Sequence, residues 1–204
     1  MDDTRAMTDS HPNIPPHANA CLLLADGKVF FGKGIGATGI GIGEICFNTA
    51  MTGYQEILTD PSYTGQIVTF TFPHIGNVGC NDEDAESYPH TSLPAQVGKE
   101  FRRGACGIIL REKPTLPSNF RSQISLQDWL VKHNISGICG VDTRALVKHI
   151  RKNGAQNGVI FRVQSSEFEV QCEEAKKYLA NCPNMNGLDL AKTVTTQKSF
   201  HWNE

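Results

Sequence analysis

Three places in this 204-residue chain carry residue types and spacings that could do chemistry. Gly34-Ile35-Gly36-Ala37-Thr38-Gly39 has the G-x-G-x-x-G spacing of a dinucleotide cradle. In such a cradle, backbone N–H groups and a helix N-terminus meet the pyrophosphate. That chemistry needs a helix to open at the third glycine. Gly41 and Gly43 follow at once, each costing about 1 kcal/mol in a helix interior. No helix starts there, and the run reads as a glycine-rich strand and turn. Gly137-Ile138-Cys139-Gly140 hints at a nucleophile elbow. An elbow needs a small residue two positions past the nucleophile, and Val141 occupies that place. Cys139 therefore reads as a core thiol at a strand end. His74, in Phe72-Pro73-His74-Ile75-Gly76-Asn77, follows a strong strand pattern. Loops after strands often carry chemistry, so His74 is a candidate imidazole, a structural loop histidine being the commoner case.

The elements that would position these groups are legible in part. The apolar run Cys21-Leu22-Leu23-Leu24 closes at Asp26-Gly27, a hairpin-turn dipeptide, and Val29-Phe30-Phe31 returns. Residues 34–47 alternate isoleucines with small residues and predict a strand with a bulge or a close backbone approach. Residues 67–72 are β-branched and aromatic, the clearest strand of the chain, and 105–110 and 135–141 read as short buried strands. Ser125-Leu126-Gln127-Asp128 is a capping box ahead of Leu126, Trp129 and Leu130 on one face. Asp142 or Thr143 caps a second helix, with Leu146, Val147 and Ile150 facing inward and Gly154 ending it. Its other face carries Arg144, Lys148, Arg151 and Lys152, a solvated surface or one for a protein partner. A third helix is predicted over about 167–180, with a connector beyond Pro183. Strands followed by alternating strands and helices predict a mixed α/β layered domain.

Composition removes whole classes of function. With 19 Lys+Arg against 21 Asp+Glu, the net charge of −2 argues against nucleic-acid binding. No apolar run approaches the roughly 20 residues that span a bilayer. Residues 1–19 are polar and Pro-containing without an apolar stretch, and read as a disordered leader rather than a secretory signal. Seven cysteines without a C-x-x-C pair point to reduced core thiols, not to a disulfide framework or a zinc site, and to a cytoplasmic setting.

A longer run carries a different kind of information. Phe47-Asn48-Thr49-Ala50-Met51-Thr52-Gly53-Tyr54-Gln55-Glu56-Ile57-Leu58-Thr59-Asp60-Pro61-Ser62-Tyr63 resembles the signature of the small, glutamine-hydrolysing chain of carbamoyl-phosphate synthetase. The likeness continues, in order, through Gln66-Ile67-Val68-Thr69, Pro73-His74-Ile75-Gly76-Asn77-Val78-Gly79 and Pro117-Ser118-Asn119-Phe120-Arg121. It then reaches Asp142-Thr143-Arg144, Gly154-Ala155-Gln156-Asn157-Gly158 and Asn186-Gly187-Leu188-Asp189-Leu190-Ala191.

The resemblance covers that family's N-terminal domain and implies a three-layer β/β/α domain of the swivelling type. It divides the chain into a leader (1–19), the domain proper (20–164), and a helix and connector toward an absent class I glutaminase domain (165–204). The implied role is to dock the glutaminase on a large synthetase chain that consumes ATP with Mg, bicarbonate and ammonia, in arginine and pyrimidine biosynthesis. Ser62 is implied to reach the glutamine bound in the neighbouring domain. No stretch matches the family's nucleophile motif, so the resemblance implies no catalytic residue, metal or cofactor in this chain and no glutamine hydrolysis by it alone. Residues 88–104 exceed the family pattern and are expected on a surface loop. Two other readings stay open: a stand-alone thiol hydrolase pairing Cys106 or Cys139 with His74, and a carrier phosphorylated on His74, by analogy with other swivelling domains.

Overall fold

A computed structural model of the protein describes residues 14–87, 104–164 and 166–195. The leader to residue 13, most of the insertion (88–103) and the chain from 196 lie outside the described residues. Seven strands form a closed barrel in the order β1 (Ala20–Leu24), β2 (Val29–Gly36), β6 (Ser136–Cys139), β5 (Gly107–Ile109), β4 (Gln66–Phe70), β3 (Gly41–Asn48), β7 (Asn157–Arg162). β7 closes the ring by pairing antiparallel with β1, Leu22 opposite Ile160. The stretch from β3 through β4 and β5 to β6 is parallel, and the remaining pairings are antiparallel. This is the mixed α/β domain that the sequence predicts, with its sheet curled shut.

Alternation along the strands sorts the side chains into an inside and two outsides. Leu22, Leu24, Ile45, Ile67, Ile109, Ile138 and Ile160 pack together within the barrel, joined by Leu146 and Ile150 of α3 (Thr143–Asn153). On one outer face, Tyr54 and Leu58 of α1 (Tyr54–Thr59) and Leu126, Trp129 and Leu130 of α2 (Leu126–Lys132) cover Val68, Phe70 and Ile108. On the other, Phe168 and Ala175 of α4 (Phe168–Asn181) cover Cys21, Leu23, Val159 and Phe161. Ser125 caps α2 by accepting the Asp128 N–H, and Asp142 caps α3 by accepting that of Ala145, as the capping signals predict. No helix among the described residues is long and apolar enough to cross a membrane.

Local detail differs from these predictions in some places and adds to them in others. The predicted single strand over 34–47 is two, because the chain turns between Gly36 and Gly41. Val147 is half-buried rather than core. The signature run contains a helix, α1, and the connector beyond Pro183 contains another, α5 (Leu190–Val194). β7, which the strand predictions above do not include, opens at Asn157-Gly158 and runs through the β-branched and aromatic Val159-Ile160-Phe161, paired with β1 and β3.

Candidate functional site

Ser62 stands on a one-turn 3-10 helix, Pro61–Tyr63, placed just ahead of β4. Asp60 begins it, with Oδ1 accepting the Ser62 N–H at 2.7 Å. Pro61 takes the first helical position, where a missing N–H leaves nothing unpaired. Asp60 O accepts from the Tyr63 N–H and Pro61 O from the Thr64 N–H, both at 3.0 Å. The turn is also tied sideways: Asn48, at the end of β3, donates through Nδ2 to the Tyr63 hydroxyl at 3.1 Å. Ser62 is exposed on this fixed turn. Its hydroxyl can donate and accept toward an ammonium or carboxylate brought to it.

The chain that leaves the barrel passes nearby. Asn157 of β7 donates through Nδ2 to Cys182 O and Pro183 O, each at 3.2 Å. Glu44 pairs with Asn157 on one side and with Gln66, the first residue of β4, on the other. Two strand spacings, about 10 Å, therefore separate that exit from the strand Ser62 leads into. The Asp60 cap was within reach of the sequence, since Asp-Pro-Ser reads as a turn start. The Asn48–Tyr63 clamp was not.

The glycine run holds no cradle. Gly34 and Gly36 finish β2, the chain then turns, and the Arg162 guanidinium lies across it, Nη2 donating to Ile35 O at 3.0 Å and to Ala37 O at 3.3 Å.

The structure does not bring the sequence-predicted thiols to His74. Cys106 precedes β5, its N–H donating to Gln66 O at the start of β4, whereas His74 follows the end of β4. The two therefore sit at opposite ends of adjacent parallel strands. Cys139 ends β6, with β5 between it and β4. It is buried, and burial pushes its thiol up against the pull of Lys113 and Lys33. His74 is exposed, edge-on to Phe72 with ring centroids 5.9 Å apart.

None of the seven cysteines is in a disulfide, and Cys21, Cys80, Cys106 and Cys139 are buried. Burial, with Glu56 and Asp84 nearby, pushes the Cys80 thiol up to about 12. At pH about 8 its thiolate fraction is on the order of one in ten thousand. Iodoacetamide at that pH is therefore expected to spare Cys80 and Cys139 in the folded chain and to label them once urea unfolds it, read by peptide mass spectrometry. Prompt labelling of either in the native chain would show an activated thiol. Among the described residues, no group of three or more His, Cys, Asp or Glu side chains could hold a metal ion.

The family model described as carbamoyl-phosphate synthase small chain, CPSase domain, matches residues 22–160. This chain belongs to that family. The carbamoyl phosphate synthase small chain of Rhizobium meliloti is 53% identical over 187 residues, covering 91% of this chain and 43% of that one. That of Agrobacterium fabrum is 50% identical over 200 residues, covering 97% and 47%. That of Salmonella typhi is 47% identical over 186 residues, covering 91% and 44%. The chain thus spans under half the length of these relatives and corresponds to the N-terminal domain of the family's small chain. Within the family signature, α1 and the Pro61–Tyr63 turn form the crossover between the parallel strands β3 and β4.

Proposed function

We propose that this domain is the non-catalytic platform of a glutamine-dependent carbamoyl-phosphate synthetase, with the three-layer swivelling architecture of its family. It docks a class I glutaminase domain on a large chain that uses ATP and Mg, in the cytoplasm, for arginine and pyrimidine biosynthesis. The observation that carries this reading is the family match over residues 22–160, together with relatives about half identical along nearly the whole chain. Buried thiols, set apart from His74, support a platform rather than a nucleophile. Ser62 completes the glutamine pocket of the neighbouring domain, and the Asp60 cap, the Asn48–Tyr63 clamp and the nearby chain exit suit that role.

One hydroxyl contributes too little for this domain to bind glutamine unaided. In the assembled complex it adds one hydrogen bond to a charged group, about 1.5–3 kcal/mol. Ser62→Ala is therefore expected to raise the glutamine KM by about tenfold or more. Synthesis driven by added ammonia, which bypasses the glutaminase, should stay at the wild-type rate. Steady-state kinetics with each nitrogen source checks this. An unchanged glutamine KM would remove Ser62 from the pocket.

A further inference from the structure

The turn that presents Ser62 is shaped by its own bonds and located by another. Asp60 N–H donates to Glu56 O at 2.8 Å, Ser62 N–H to Asp60 Oδ1, Tyr63 N–H to Asp60 O and Thr64 N–H to Pro61 O. All of these close within residues 56–64. They set the shape of the turn and leave its tilt to other contacts. Its flanks are sunk in the core, Thr59 and Thr64 each being 1% exposed, while Ser62 between them is exposed. Among the described residues, the hydrogen bond from Asn48 Nδ2 to the Tyr63 hydroxyl at 3.1 Å is the one that ties residues 60–63 to a different segment.

Both ends of that tie are held firmly. Asn48 ends β3, opposite Phe70 of β4, and its C=O accepts from the Thr71 N–H at 3.0 Å and the Thr71 hydroxyl at 3.3 Å. Its amide is oriented by Ala50, whose N–H donates to Oδ1 at 2.7 Å. The oxygen is thereby committed, and Nδ2 is left to face Tyr63. The Tyr63 ring packs against the core cluster that α1 and α2 cover. Tyr63 adjoins Ser62 in the chain, so a ring held at its face and at its tip also holds the residue beside it. A hydroxyl that must meet a substrate seated in another domain needs such support, since a shift of about 1 Å is enough to lose a hydrogen bond.

We propose that Asn48 and Tyr63 are positioning residues for glutamine: their hydrogen bond sets where the Ser62 hydroxyl stands, and neither touches the substrate. The assignment rests on the proposed function above and extends it from Ser62 to the pair behind it. The test uses the assembled synthetase, glutaminase domain and large chain included, supplied with glutamine or with ammonia. Tyr63→Phe keeps the ring and deletes only the hydroxyl. It should raise the glutamine KM by about threefold to fivefold, less than Ser62→Ala does, with kcat within about twofold of wild type. Asn48→Asp keeps one oxygen for the Ala50 N–H and offers the other to the Tyr63 O–H, which then donates, so its KM should stay within about twofold of wild type. Ser62→Ala combined with Tyr63→Phe should show the KM of Ser62→Ala alone, because the bond then has nothing left to position. Ammonia-driven synthesis should hold in every variant. A fall in it that matches the loss with glutamine would make the bond structural only and overturn the assignment. Effects that multiply in the combined variant overturn it too. So does a wild-type KM in Tyr63→Phe while Ser62→Ala raises it, a result that leaves Ser62 in the pocket. An unchanged KM in Ser62→Ala overturns the pocket role of Ser62 itself, and this assignment with it.

Discussion

Gly36→Ala is expected to destabilise the domain by about 3 kcal/mol, a fall in melting temperature of roughly 6–12 °C. Gly36 holds φ at +65°, in the left-handed region. A Cβ there would lie 2.2 Å from Ile135 O and 2.9 Å from Leu130 Cβ. The first is backbone and the second a buried helix position, so neither can swing aside. Left-handed strain of about 1–2 kcal/mol adds to overpacking of similar size. Beside the Arg162 bonds, Gly36 N–H to Gln127 Oε1 at 3.0 Å and Ala37 N–H to Ile135 O at 2.9 Å hold the strand end at this spot. Gly39 supplies the contrast, since a Cβ there would meet only Ser136 Oγ at 3.6 Å. Gly39→Ala should change stability by less than about 0.5 kcal/mol. A dinucleotide cradle would need both glycines, whereas a strand end pressed against the α2–β6 connection needs only Gly36. Thermal melts of the two variants separate these explanations, and equal melting temperatures would refute the packing argument.

Gln55→Ala should cost about as much, by a different route. Gln55 is only 3% exposed. Its amide faces one residue in both directions: Nε2 donates to Asn81 O, and Oε1 accepts the Asn81 N–H at 2.9 Å. Truncation would leave a buried N–H and a buried C=O of Asn81 without their partner, at about 1–3 kcal/mol each. A total of about 3 kcal/mol is expected, measurable by urea unfolding with an unchanged slope. The loss would also spread. Asn81 Oδ1 accepts from the Glu83 and Asp84 N–H groups at 2.8 and 2.9 Å, shaping the turn that carries the carboxylates gripping Arg121. Faster amide exchange at Glu83 and Asp84 is the accompanying expectation, and full protection there would show that the turn stands without Gln55.

Much of the fold could be read from neighbours along the chain. β1 and its Asp26-Gly27 turn, β4, and the caps of α2 and α3 are written within a few residues of where they act. A cap or a side-chain period depends only on the adjacent turn or strand, so local composition suffices. β7 shows the converse. Val159-Ile160-Phe161 suits a strand by its composition, but the place of that strand between β1 and β3 is set by pairings that no local pattern records.

The candidate site divides in the same way. Ser62 came from the family signature, and the Asp60 cap that fixes its backbone lies two residues away. The Asn48–Tyr63 clamp, the separation of His74 from Cys106, and the pairing of Arg121 with Asp84 come from chain folded back on itself. Arg162 reaches the glycine turn across 127 residues of sequence. A contact of that span costs loop-closure entropy that only the finished barrel offsets, so it leaves no local pattern from which to read it.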